Sequence, residues 1–233
     1  NQLGSFNTWF NSVQFRQASS KKTLQVQLSR TASDNDYKYL NTPFKNENGA
    51  FENEQFSLQF GYQISPKNQL AYYNQMLQSD RQLSTALYAV SKAKYNDFQI
   101  RNLLEWTNLY GRLVSKIKAA HLLENYQYYF NKNDLKYTGN TAETFILRYE
   151  ALLPLKHNML LQITSEINQT KAFGDNLKTQ SRTISSNMLA LQHQVTHFFR
   201  YELSARKEVT QLYESPILFA VGGYWSVSSK YKI

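Results

Sequence analysis

From Phe56 to Ile64 the chain reads FSLQFGYQI, an unbroken alternation with Phe56, Leu58, Phe60, Tyr62 and Ile64 on one side and Ser57, Gln59, Gly61 and Gln63 on the other. A period of two makes this a β-strand with one apolar and one polar face. Pro66-Lys67-Asn68 follows at once. Pro presets one turn dihedral and Asn tolerates the next, so the chain should turn straight back as a hairpin. The same unit recurs along the sequence. Strands are expected at 6–16, 23–31, 70–79, a segment ending in LLEWTN, 113–120, 145–153 and 159–167. Shorter ones are expected around Leu189, over 199–206 and 217–225, and from Lys230 to Ile233.

The connections set the architecture. Short turns at Ala18–Lys21, Pro66, Asn108–Gly111, Pro154–His157 and Val195 alternate with long links over 33–53, 80–94, 125–143, 170–182 and up to Ser215. A soluble sandwich has no reason to keep that parity. A membrane barrel does, because antiparallel neighbours put all tight turns at one end and all loops at the other, and a tilted span needs about 9 to 11 residues. The expected fold is therefore all-β, an antiparallel up-and-down transmembrane β-barrel with about twelve strands in this chain, and residues 1–233 form part of one barrel domain. Tyr (17) and Phe (14) are abundant while mean hydropathy is −0.57, the combination that interface girdles and a wet interior require. No apolar run reaches the length of a transmembrane helix. Without cysteine there is no disulfide, thiolate metal site or cysteine nucleophile. The formal charge of +9 is spread along the chain rather than clustered, which speaks against a nucleic-acid surface.

Several segments resemble a known family. GSFNT at 4–8, SDNDYKYLN at 33–41, RNLLEW at 101–106, RKE at 206–208 and YESPILFAVG at 213–222 look like the barrel of TonB-dependent outer-membrane receptors, of the cobalamin-receptor-like kind found in Bacteroidetes-type bacteria. The resemblance implies a larger, plugged barrel in the outer membrane of a Gram-negative bacterium. It also implies a nutrient ligand such as a metal chelate, corrinoid or oligosaccharide, coupling to TonB through an N-terminal plug, contact with outer-membrane lipid, and an accessory surface lipoprotein as a further partner. Neither plug nor TonB-contacting box is recognisable here, so the strands are expected to be an interior portion of the barrel.

No catalytic signature accompanies this pattern: the sequence has no GxSxG elbow, no phosphate-cradling glycine loop and no HExxH, and an enzyme is not expected. His193 and His197 bracket an expected turn instead of sharing a helix face, so no metal or other cofactor is assigned to them. Asp34 and Asp36 are a sparse candidate for calcium, against the plainer reading of turn-forming residues in a solvated loop. For ligand binding, Tyr37, Tyr39 and Phe173 are the candidates, as rings in long links able to close over a ligand. Tyr126, Tyr128 and Tyr129 read instead as an interface girdle where a strand leaves the bilayer. Lys116, Lys118, Arg148, Arg200 and Arg206 are expected on the lumen wall with Gln59 and Gln162, and Leu58, Phe60, Leu147, Leu161 and Tyr201 against lipid. Asp36, Tyr88, Asp134 and Phe173 should lie outside the cell, opposite the turns at Lys21, Pro66, Gly111 and Pro154. The alternative is a soluble, surface-exposed β-sandwich that binds glycans through the same tyrosines.

Overall fold

Alternation of the kind seen at Phe56–Ile64 runs through a computed structural model that describes residues 1–84, 91–175 and 177–226. Twelve strands pair antiparallel in strict sequence order as one sheet: β1 Gln2–Gly4, β2 Thr8–Ala18, β3 Lys22–Ser33, β4 Phe51–Ser65, β5 Asn68–Gln82, β6 Lys94–Tyr110, β7 Leu113–Tyr129, β8 Thr138–Pro154, β9 Met159–Gly174, β10 Leu177–Gln194, β11 Phe199–Thr210 and β12 Leu218–Trp225. The expected strand at 230–233 and Tyr88 lie outside the described residues.

The registers sort the side chains into two faces. Phe60, Tyr72, Leu104, Ala119, Leu147 and Ile167 stand in one row across β4–β9. Leu161, Leu191, Leu203 and Val221 continue the same face through β12. One residue over, Gln59, Arg148, Gln162 and Arg200 occupy the opposite face. The apolar face is not covered by protein: Leu147 is 54% and Leu28 55% exposed, and only alanines are buried among the hydrophobic residues described. A patch of this extent is far above what a water-soluble monomer shows. The sandwich alternative fails on the same observation, since a second sheet would have to bury that face.

The apolar band is tilted relative to the hydrogen-bonded rows. On the apolar face the first charged residue beyond Phe56 in β4 is Glu54, whose row crosses β5 at Gln78. In β11 it is Lys207, whose row, traced back through Asn187, Ser165, Tyr149, Ile117 and Trp106, crosses β5 at Leu70. Eight residues of drift between β4 and β11 is about one per strand, the stagger that tilted barrel strands require.

The connections keep their parity with two corrections. Residues 19–21, 66–67, 111–112, 155–158 and 195–198 form short turns at one end, and links 34–50, 130–137 and 211–217 lie at the other, with residues 83–84 and 91–93. Segments 125–143 and 170–182, expected as long links, are mostly strand: pairing continues to Tyr129 and from Thr138, and β9 and β10 stay together up to Gly174 and Leu177. Above the apolar band both faces meet water, so nothing forces alternation, while the backbone ladder still closes. The N-terminal strand is also split, by a turn at Ser5–Thr8 in which Phe6 and Asn7 both have positive φ (58° and 53°) and Thr8 N–H donates to Ser5 O at 3.2 Å. That is the geometry of a two-residue hairpin turn.

Candidate functional site

The polar face of β6–β9 carries a ladder of interleaved cations and carboxylates. Glu105 faces Lys118 across β6 and β7, Lys118 faces Arg148, and Arg148 faces Glu166, while Lys116 faces Glu150 in the adjacent row. Lys116 Nζ and Lys118 Nζ lie 3.8 and 3.7 Å from the Glu105 carboxylate, and Lys118 Nζ is 3.3 Å from Glu150 Oε1. Arg148 reaches Glu150 Oε1 at 2.7 Å and Glu166 Oε2 at 3.3 Å. The expected wall cations Lys116, Lys118 and Arg148 thus come together, tied by Glu150 and Glu166, which alternation puts on the same face, and by Glu105, which sequence reading passed over. Strand parity could have found Glu105, since it shares its side with Thr107. Arg200 stands apart on β11, its guanidinium 5.3 Å from the centroid of the Tyr224 ring. Arg206 pairs with Glu208 on the same strand.

Toward the end with the long links, the same face becomes aromatic. Arg81 binds Asp97 at 3.1 Å and lies 5.4 Å from the Tyr95 centroid; Tyr95 is in turn 4.8 Å from Tyr126 and 5.3 Å from Tyr128. Arg101 and Glu124 pair at 3.7 Å one row below. This corrects the girdle reading for Tyr126 and Tyr128, because in β7 even-numbered residues share the polar side with Lys116 and Lys118. Tyr129 does belong to the apolar side, with Lys94 Nζ 4.9 Å from its centroid and Tyr137 at 5.5 Å.

At the rim, Tyr37 and Tyr39 meet edge to face at 5.5 Å, and Phe6, from the β1–β2 turn, extends the series to Tyr37 at 6.2 Å. Partial burial and the neighbouring Tyr37 hold the Tyr39 phenol above the usual tyrosine range. The link that carries them is pinned by buried amides. Asn46 Nδ2 donates to Asn35 O and Ser84 Oγ, both at 2.9 Å, and Asn48 Nδ2 donates to Leu83 O and Ala93 O at 3.0 and 2.8 Å. Link 34–50 is thereby fastened to the base of link 83–93, and Lys132 Nζ joins the next link by donating to Gln82 Oε1 at 2.8 Å. Phe173 does not join this rim: it sits in β9 opposite Thr141, on the apolar side, with β4–β8 between it and link 34–50. Asp34 accepts from Asn7 Nδ2 at 3.1 Å and Asp36 binds Lys45 Nζ at 3.3 Å, so the two carboxylates turn to different partners. Among the described residues no group of three or more His, Asp or Glu side chains is gathered for a metal.

No family model matches the chain, and no curated protein matches it in sequence. Solved structures do. The siderophore receptor PirA from Pseudomonas aeruginosa aligns over 97% of this chain and 38% of its own with a TM-score of 0.74 at 10% identity. The FrpB iron transporter from Neisseria meningitidis aligns over 97% and 43% with a TM-score of 0.76 at 10% identity. The fold is the antiparallel barrel meander of these two proteins. The RagAB peptide importer has it too, covering 94% of this chain and 34% of its own, with a TM-score of 0.67 at 10% identity. The chain spans about two-fifths of the length of the first two structures. In a barrel of this kind the apolar face is the lipid-facing wall and the polar face, with its charge ladder and tyrosines, is the lumen wall.

Proposed function

We propose that the chain forms part of an outer-membrane receptor that captures a scarce, bulky nutrient at its outer mouth and imports it with energy relayed by TonB through a plug. The single observation that carries this reading is the two-faced meander: a lipid-type apolar wall backed by a polar, ion-paired lumen wall, in the fold shared with receptors and importers. Tight turns face the periplasm and the links at 34–50 and 130–137 face outward, following the general asymmetry of such barrels. The mouth then presents Phe6, Tyr37 and Tyr39 on fastened links above the Tyr95–Tyr126–Tyr128 cluster, a ring-lined and polar-rimmed setting of the sort ligand sites favour. Metal chelates, corrinoids and oligosaccharides are the cargo classes, the corrinoid following only from the segments that resemble cobalamin-receptor-like barrels. Plug, TonB, outer-membrane lipid and an accessory surface lipoprotein are the implied partners. Growth on candidate nutrients is to be compared between cells with the receptor, a deletion, and a Tyr37→Ala/Tyr39→Ala pair, each with and without TonB. Nutrient-specific growth that requires both receptor and TonB is expected. Uptake that survives loss of TonB, or a deletion whose phenotype is lost adhesion or secretion, would replace this reading by another outer-membrane role.

A further inference from the structure

The chain carries a formal charge of +9, yet the lumen wall of β4–β9 carries none of that excess. Its cations are Arg81, Arg101, Lys116, Lys118 and Arg148, and its carboxylates are Asp97, Glu105, Glu124, Glu150 and Glu166; every one is in an ion pair within the wall. Between and beside them the wall carries neutral amides and phenols among aliphatic side chains such as Leu77, Leu103, Leu122 and Ile146. Gln59 faces Tyr73 across β4 and β5, Gln75 faces Arg101, and Gln55 and Gln99 both face Leu77 from either side. Tyr73 is 41% exposed on this wall. Near the mouth a recess is lined by Glu124, Tyr126, Asn140, Ala142, Ala172 and Leu177. Within it Asn140 Oδ1, shielded from solvent, accepts no hydrogen bond from the described residues.

We infer that the cargo is a neutral, hydroxyl-rich ligand of the oligosaccharide class. The inference rests on the receptor reading above and narrows it. An anionic chelate gains from uncompensated cations, and on this wall each guanidinium and ammonium already has its counter-charge; breaking such a pair to bind an anion would leave a carboxylate unpaired. A polyol makes no such demand. Its hydroxyls exchange hydrogen bonds with water for bonds to glutamine amides, which donate and accept equally. Its C–H faces cover tyrosine rings, which supply contact area at little conformational cost.

The test uses the complete receptor, purified in detergent, with neutral gluco-, fructo- and manno-oligosaccharides, ferric citrate, a ferric catecholate and short peptides as titrants. Saturable binding is expected from a neutral oligosaccharide, with a Kd that changes by less than about twofold over a tenfold range of ionic strength. Tyr126→Ala and Gln99→Ala should each weaken it about tenfold, while Tyr126→Phe, which keeps the ring, should stay within about threefold. Unchanged thermal unfolding of each variant separates this loss from misfolding. Binding of a ferric chelate with strong salt dependence, or of peptides alone, overturns the ligand class but leaves the receptor reading standing if uptake still needs TonB. Absence of TonB-dependent uptake for every titrant would remove both.

Discussion

Residue by residue, the structure turns on which side of a strand a side chain occupies, because the two sides have different solvents. Leu147→Arg puts a guanidinium into the lipid-facing wall and should destabilise the complete barrel by about 2–4 kcal/mol, whereas Gln162→Arg on the lumen wall should cost well under half of that. Urea unfolding in lipid vesicles measures both, and equal losses would reverse the assignment of the faces. Glu150 offers a second case. It joins Lys118 to Arg148 with its side chain only 21% exposed, so Glu150→Gln leaves two cations facing each other and is expected to cost about 1–3 kcal/mol. The double variant Glu150→Gln/Lys118→Met should recover part of that loss in the same unfolding assay.

For the strands and links, the lesson is how far pattern alone can reach. Phe56–Ile64 declared its faces because one side had to meet lipid and the other water, and the same constraint made Leu147, Arg148, Leu161 and Gln162 legible from sequence. It lapses above the apolar band. Tyr126, Tyr128 and Phe173 lie in paired strands whose sequence looks like loop, since water on both sides leaves only backbone hydrogen bonds to hold them. The aromatic partners of Tyr126 were hidden for a different reason: Tyr95 comes from a neighbouring strand, and cross-strand register is not written in either segment alone. Fastening of the links was equally invisible, resting on Asn46 and Asn48, residues that also suit any solvated turn. A side chain at Gly49 would bring its Cβ within 2.7 Å of the Asn35 carbonyl oxygen and onto the Asn46 amide. Gly49→Ala should therefore loosen link 34–50, seen as faster hydrogen exchange at 34–50 and at 83–84 with the barrel strands unchanged. Asn48→Ala, which deletes the hydrogen bonds to the Leu83 and Ala93 carbonyls that flank β5 and β6, should do the same.

Taken as a whole, the molecule has one end where the connections are all tight turns and another that carries the long links, so its orientation can be read on living cells. Single cysteines can be placed at 36, 67, 112 and 133 without competition, because the chain has none of its own. Impermeant maleimide should label positions 36 and 133 on intact cells and reach 67 and 112 only after the outer membrane is opened. Labelling in the reverse order would invert the barrel.

Strands that continue beyond the apolar band raise the rim on main-chain hydrogen bonds instead of on loop side chains. Height and shape are then governed separately. Mutation is free to rewrite the links that touch cargo, phage or antibody while the ladder beneath keeps them at a fixed elevation. A lineage carrying such a barrel can change what it recognises in few steps without endangering the wall that keeps its cell sealed.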